Sequence, residues 1–320
     1  MRIPRKTIIF VAGRKCQKHC FMQATTKNLL KLHLVVFIYG FTAILGKLIT
    51  LDAIQLVWYR MLIAFLALGF LLLIRGRRMA VSRATFFRLT GIGFIVAFHW
   101  ITFFHAIKIS TISVALGCLA STTLFTSLLE PALVRRPLVW LEVITGILII
   151  TGLYMIFRFE PDHIAGIITA LTSAFLAALF TVLNKLMIVR NRPLVISFYE
   201  MGGGFIGITL FMLLNGIFSA GLQVPVWSDW LFLILLGVIC TAYAFVSSVK
   251  VMDVLSAYTV VLTINLEPIY GILMAFLFFG ESELMSGGFY AGTVIILAAV
   301  FMFPVLSRKL KLSKAPEKSD

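Results

Sequence analysis

The sequence predicts an all-α membrane protein: ten transmembrane helices arranged as two inverted five-helix repeats, with both termini cytoplasmic. Three observations predict it. The 320 residues are 61% hydrophobic and only 13% charged. A soluble domain runs at roughly 45–50% apolar and about 25% charged, so this much apolar surface exceeds what one water-soluble core hides. The apolar residues gather into ten runs of membrane length. Lys and Arg fall almost wholly on one side of those runs.

The runs are 29–49, 54–74, 86–107, 111–133, 138–157, 164–188, 194–218, 229–250, 255–279 and 285–306. Each supplies about the 20 residues that cross a hydrocarbon layer roughly 30 Å thick. Helices satisfy their own backbone hydrogen bonds there. The connections are short, so no soluble domain is inserted. With the N-terminus inside, 24 of the 28 Lys and Arg are cytoplasmic, the exceptions being Lys47, Arg60, Lys108 and Arg158; this is a positive-inside bias. The chain divides into a basic cytoplasmic tail (1–28), a first repeat (29–158), a second repeat (159–306) and a second basic tail (307–320). Residues 1–21 read as basic and irregular, and Met22 opens the segment leading into the first helix. The first 21 residues are expected to be dispensable or upstream of the native start.

The repeat shows in spacing. Lys47 and Lys185 are 138 residues apart, Tyr59 and Tyr199 are 140 apart, and Lys108 and Lys250 are 142 apart. The fourth run then aligns with the ninth at an offset of about 145. Five helices per half is an odd number, so the second half must be inverted, and inverted repeats place a site near the bilayer midplane at their interface.

Polar residues inside the runs are therefore the candidates, taken here in chain order. The first run carries Tyr39, Thr42 and Lys47 along one side. Arg60 lies six residues into the second run, about 9 Å deep, either snorkelling outward or facing a cavity. The third run has His99 and Trp100, with Phe103 and Phe104 able to stack on a planar ligand. In the fourth, Cys118, Thr122, Thr126 and Glu130 recur at spacings of 4; Glu130 reads as structural, close to Arg135 and Arg136. Lys185 closes the sixth run, and Glu200 sits about as deep in the seventh as Arg60 does in the second, from the other side. Gly202, Gly203 and Gly204 read as close helix packing. In the ninth run, Thr259, Thr263, Glu267 and Tyr270 form one helical stripe. Glu267 is a charge at mid-span, where insertion costs about 2.5–3.5 kcal/mol. Pro268 beside it removes a backbone donor and kinks the helix. A cavity lined by that helix accounts for both.

Other classes are not supported. The net charge of +15 lies between the apolar runs rather than on one basic face, so nucleic acid is not expected. Cys16, His19 and Cys20 offer three ligands in a basic tail and no fourth, so no metal is expected. No cofactor loop or reactive constellation points to an enzyme.

Three segments carry a family likeness: "TAILGKLITLDAIQLVWYRMLIAF", "HWITFFHAIKISTISVAL" and "VLSAYTVVLTINLEPIYGILMAFLFFGES". In order and spacing the chain resembles the EamA-type transporters of the drug/metabolite transporter superfamily over roughly 29–306. The resemblance implies a carrier of small metabolites, often an exporter, with a central cavity between the halves. It also implies that Lys47, Arg60, Lys185 and Glu267 occupy favoured positions. The chain departs from the pattern at Gly280-Glu281, whose counterpart in the first half is Arg135-Arg136.

The expectation is a secondary transporter in the cytoplasmic (inner) membrane that works by alternating access, exports its substrate and is coupled to protons. Its substrate and proton pathway is expected to use Glu267, Arg60, His99, Lys47, Lys185, Thr122, Thr263, Tyr270, Trp100 and Glu200, with a kink at Pro268. Expected partners are a small-molecule metabolite, the lipid bilayer, protons and a second copy of the chain. A membrane scaffold or assembly factor without transport is the alternative.

Overall fold

The computed structural model describes residues 5–76, 79–135 and 140–313, with side chains principally over 27–299. Arg77, Arg78, Arg136 and the ends of both basic tails lie outside the described residues. Among the described residues every regular element is a helix. Nine stretches among the described residues, from Lys27–Leu48 to Ala257–Glu283, are long and apolar enough to cross a membrane, and a shorter apolar helical segment follows at Gly287–Ala299.

The elements are α1 (Arg5–Leu48), α2 (Ala53–Ile74), α3 (Arg83–Ile109), α4 (Ile112–Leu119), α5 (Thr122–Val134), α6 (Trp140–Phe159) and α7 (Ile164–Met187). Then come α8 (Pro193–Leu214), α9 (Ile217–Ala220), α10 (Trp227–Ile234), α11 (Ala244–Val251), α12 (Ala257–Ile264), α13 (Glu267–Phe279) and α14 (Gly287–Ser313). Short polar residues start many of them. Asp52 accepts hydrogen bonds from the amides of Ile54 and Gln55 at the head of α2. Ser82, Thr111 and Ser256 cap α3, α4 and α12 in the same way, each satisfying a donor the helix leaves open. Pro193 takes the first turn of α8, where its missing N–H costs nothing.

The first helix differs from the expectation. Residues 5–28 continue α1 rather than forming an irregular tail. At 1.5 Å per residue, 44 residues make a rod of about 66 Å, roughly twice a hydrocarbon layer. No proline follows Pro4 before the membrane segment, so nothing in the sequence breaks it.

Two spans are interrupted at matching places. The fourth breaks at Ala120–Ser121, between α4 and α5, and the ninth at Asn265–Leu266, between α12 and α13. Both pairs are 145 apart, the offset at which the two runs align. Asn265 donates from its side chain to Thr123 Oγ1, so the two breaks meet. A second matched pair joins the halves elsewhere: Gly152 on α6 and Gly292 on α14, 140 apart, each approach the other's carbonyl so closely that an added Cβ would lie 2.6 Å from it. Only glycine allows that contact.

Pro268, expected to bend or break its helix, directly follows the interruption of the ninth span and stands in the first turn of α13, where a missing donor is tolerated. The fourth span breaks at Ala120–Ser121 with no proline there, so an interruption of this kind does not require one. Each of the two stripes read from sequence spans two helical segments. Thr259 and Thr263 belong to α12 and Glu267 and Tyr270 to α13; Cys118 belongs to α4 and Thr122, Thr126 and Glu130 to α5.

The eighth span is modified differently. Between α10 and α11 it opens into a π-helical segment, Leu235–Tyr243, and Thr241 Oγ1 donates to the carbonyl of Leu236, five residues back, at 2.7 Å. Single π turns mark functional sites often enough that Thr241 merits attention below. The run Gly202–Gly204 packs as expected. An added Cβ at Gly203 would meet the Thr90 backbone at 2.7 Å, and one at Gly204 would meet the Gly93 carbonyl at 2.7 Å.

Candidate functional site

Leu119 and Thr122 on either side of the first break, and Ile264, Asn265, Glu267 and Pro268 at the second, line one cavity. Its charged lining is Arg60 and Glu267; its aromatic lining is Tyr39, His99, Trp100, Phe103, Phe180 and Phe245; and Thr42, Thr122, Thr181, Ser248 and Asn265 supply smaller polar groups. The lining comes from α1, α2, α3, α4, α5, α7, α11, α12, α13 and the break between the last two, so both halves contribute.

Arg60 is the most constrained group. It is 1% exposed, so it does not snorkel. Its Nε donates to Thr241 Oγ1 at 2.6 Å, which is why the π turn matters: it presents that hydroxyl. The guanidinium lies 3.8 Å from the Trp100 ring centroid and 5.5 Å from that of Phe104, a cation–π cradle. One terminal nitrogen, Nη1, is buried without a hydrogen-bond partner. Among the described residues no carboxylate forms an ion pair with Arg60; the ion pair formed is Lys47–Glu283. A fixed cation with a spare donor, lining a cavity, is arranged to receive an anionic group.

Glu267 is buried at the head of α13. It lines the same cavity as Arg60 without pairing with it, so the cavity presents separated positive and negative groups. His99 Nδ1 lies 2.9 Å from the Ser173 carbonyl. A carbonyl only accepts, so Nδ1 is the donor there and Nε2 remains the ring's acceptor. Tyr39 donates to Ser248 Oγ at 3.1 Å, tying α1 to α11 across the cavity wall.

Of the residues expected from sequence, the cavity brings together Glu267, Pro268, Arg60, His99, Trp100 and Thr122. Lys47, Lys185, Thr263, Tyr270 and Glu200 lie off its lining. Sequence reasoning passed over Phe180, Phe245, Ser248, Thr181 and Asn265. Asn265, an amide two residues from Glu267 in an apolar run, carried a signal. Two phenylalanines in apolar helices did not.

The two lysines have a different placement. Lys47 pairs with Glu283 at 2.6 Å. Glu283, 1% exposed, also accepts from the amides of Ile112 and Ser113 and from Ser113 Oγ. One carboxylate thus joins the end of α1, the start of α4 and the end of α13, with the helix dipole of α4 in its favour. Glu281, two residues earlier, is exposed. Beside this knot Thr50 donates to Asp229 from its amide and hydroxyl, at 3.0 and 2.7 Å, and Lys108 donates to the Ile49 carbonyl. Lys185 donates to the carbonyls of Met252 and Leu255 at 2.5 and 2.9 Å. The pseudo-equivalent lysines therefore fasten two different sets of helix ends.

Comparisons with known proteins agree with this architecture. The sequence model of the EamA-like transporter family matches twice, over residues 27–158 and 164–304. No curated protein matches the chain. A solved structure titled "Crystal structure of protein" superposes with a TM-score of 0.65 at 16% identity, over 88% of this chain and 99% of its own, which supports the fold. With two family repeats taking in most of its 320 residues, the chain belongs to the EamA-like transporter family, a family of membrane transporters rather than enzymes.

Proposed function

We propose that the chain is a secondary transporter that exports a small metabolite bearing an anionic group across the cytoplasmic membrane, by alternating access and with proton coupling. The observation that carries this reading is Arg60: a buried guanidinium with an unpartnered nitrogen, stacked on Trp100 and lining a cavity to which both halves contribute. Two inverted five-helix halves, ten spans in all, would rock about this cavity, with both termini in the cytoplasm. Comparison of extracellular metabolites from cells with and without the protein is the direct test. An accumulating small anion or zwitterion supports it; unchanged pools, together with no flux in proteoliposomes, would leave the scaffold reading.

Orientation is checked separately. A single cysteine at Gly221, in the loop after α9, should react with an impermeant thiol reagent on intact cells. One at Arg75, at the end of α2, should react only after permeabilisation. The reverse pattern overturns the orientation.

The Glu283 knot is assigned to the outer gate. Glu283→Gln removes the ion pair and weakens the hold on α4, so it should raise outside labelling of a cysteine placed at Thr42 in the cavity by about fivefold or more. With Lys47 partly exposed, the pair falls between the roughly 0–1 kcal/mol of a surface pair and the roughly 3–5 kcal/mol lost when a fully buried pair is broken. Unchanged labelling would mean that the gate is closed by other contacts.

A further inference from the structure

Outside the cavity lies another buried carboxylate. Glu200, on α8, is 0% exposed, and so are Asn184 on α7 and Ser197 one turn earlier on α8. Asn184 Nδ2 donates to Glu200 Oε2 in one long hydrogen bond of 3.4 Å. Three oxygens of this cluster are buried with no partner: Glu200 Oε1, Asn184 Oδ1 and Ser197 Oγ. A buried acceptor left without a donor is costly, and a buried carboxylate without a cation more so.

The charged and titratable groups on the packed elements are engaged elsewhere. On α2, Arg60 is bound to Thr241, and Arg75 is exposed. On α3, His99 is bound to Ser173, while Arg83, Arg88, His105 and Lys108 are exposed. On α7, Lys185 is bound to backbone carbonyls, and on α11 Lys250 is exposed. On α8 itself the Tyr199 hydroxyl donates to the Met79 carbonyl. None of them neutralises Glu200.

One addition satisfies two of the three orphan atoms. A carboxylic acid and a primary amide close a ring of two hydrogen bonds, acid O–H to amide oxygen and amide N–H to acid oxygen. Here the second of these exists, and the atoms of the first, Glu200 Oε1 and Asn184 Oδ1, are those left unpartnered. A proton on Oε1 supplies the missing donor. We propose that Glu200 and Asn184 form a proton-binding site, separate from the substrate cavity, that relays the coupling proton one helical turn beyond the cavity wall.

Its place fits the role. Ala177 and Thr181 line the cavity from α7, and Asn184 is the next buried position on the same face, three residues past Thr181. Glu200 lies seven residues into α8, about 10 Å from its start, on the end of the bundle where α7 finishes. A proton leaving the cavity toward that end meets this pair. This inference rests on the transport reading for its function, but the protonation itself does not.

The test uses the purified full-length protein and Glu200→Gln. Glutamine keeps both ring hydrogen bonds, so the variant should fold, but it cannot lose a proton. Infrared difference spectra, wild type minus Glu200→Gln, should show a protonated carboxyl C=O band that shifts on deuteration; its absence at every pH from about 5 to 8 overturns the proton site whether or not transport is found. In proteoliposomes, with the substrate identified by the metabolite comparison, gradient-driven accumulation should fall about tenfold or more. Substrate affinity at fixed pH should stay within about twofold. Normal accumulation overturns the coupling role, and so does an equal loss of affinity and accumulation, which would make Glu200 a structural support.

Discussion

Glu267→Gln is expected to abolish proton-driven accumulation and to flatten the pH dependence of flux. The substitution keeps the shape of the side chain at the head of α13 and most of its hydrogen-bonding capacity. It removes the ability to exchange a proton. Glu267 shares the cavity with Arg60 and is separated from it, so a proton and a substrate that enter the same space act on the same carboxyl. If the two compete there, wild-type flux should vary across about pH 5–8 and the variant's should not. Exchange of labelled for unlabelled substrate, with no gradient, then decides how the carboxylate is used. Under coupling alone exchange survives. If a cationic amine of the substrate pairs directly with the carboxylate, exchange fails as well, because the buried charged hydrogen bond it loses is worth about 1.5–3 kcal/mol, roughly 10–150-fold in affinity. Unchanged flux at every pH would make Glu267 a packing residue. Pro268→Ala is expected to do far less, since the first turn of a helix needs no donor from that residue and the equivalent break at Ala120–Ser121 forms without proline.

How much of this could be read in the sequence depends on the kind of signal. Membrane-length apolar runs and the fourth-to-ninth alignment were legible because they are long and sum over many residues, and the breaks 145 apart fall on that alignment. Glu267, Arg60, His99 and Trp100 were legible as cavity residues because polar or amphipathic groups inside apolar runs are expensive. The interruptions were less legible: reading Thr259 through Tyr270 as one face assumed a continuous helix, and the chain is interrupted at Asn265–Leu266. Lys47 and Lys185 were found by symmetry but their partners were not, since nothing local to Lys47 points to Glu283, 236 residues away. The π segment that delivers Thr241 to Arg60 has no proline or charge to announce it. The segment packs against α2, a long-range contact that a single sequence does not encode visibly.

Replacing Arg60 is expected to have the largest effect of any single change. Arg60→Ala should reduce flux at least 30-fold without loss of membrane insertion. The guanidinium stacks on Trp100, a contact worth up to about 2 kcal/mol when desolvated, and donates to Thr241; both are internal and partly replaceable. The substrate contact is not. Truncating one partner of a buried charged pair costs about 2–5 kcal/mol, and the lower figure alone is roughly 30-fold. Arg60→Lys separates charge from geometry. Lysine keeps the positive charge but is a point donor on a flexible stem, without the planar face that lies on Trp100 or the fork that leaves Nη1 directed at a second group. Flux should therefore stay at least about tenfold below wild type in Arg60→Lys, with KM raised more than kcat is lowered. Thr241→Val should lie between Arg60→Lys and wild type, because it removes the hydroxyl that orients Nε while leaving the guanidinium in place. If both Arg60 variants transport normally, the cation is there to hold α2 against the π segment, and the anion must be received elsewhere in the cavity.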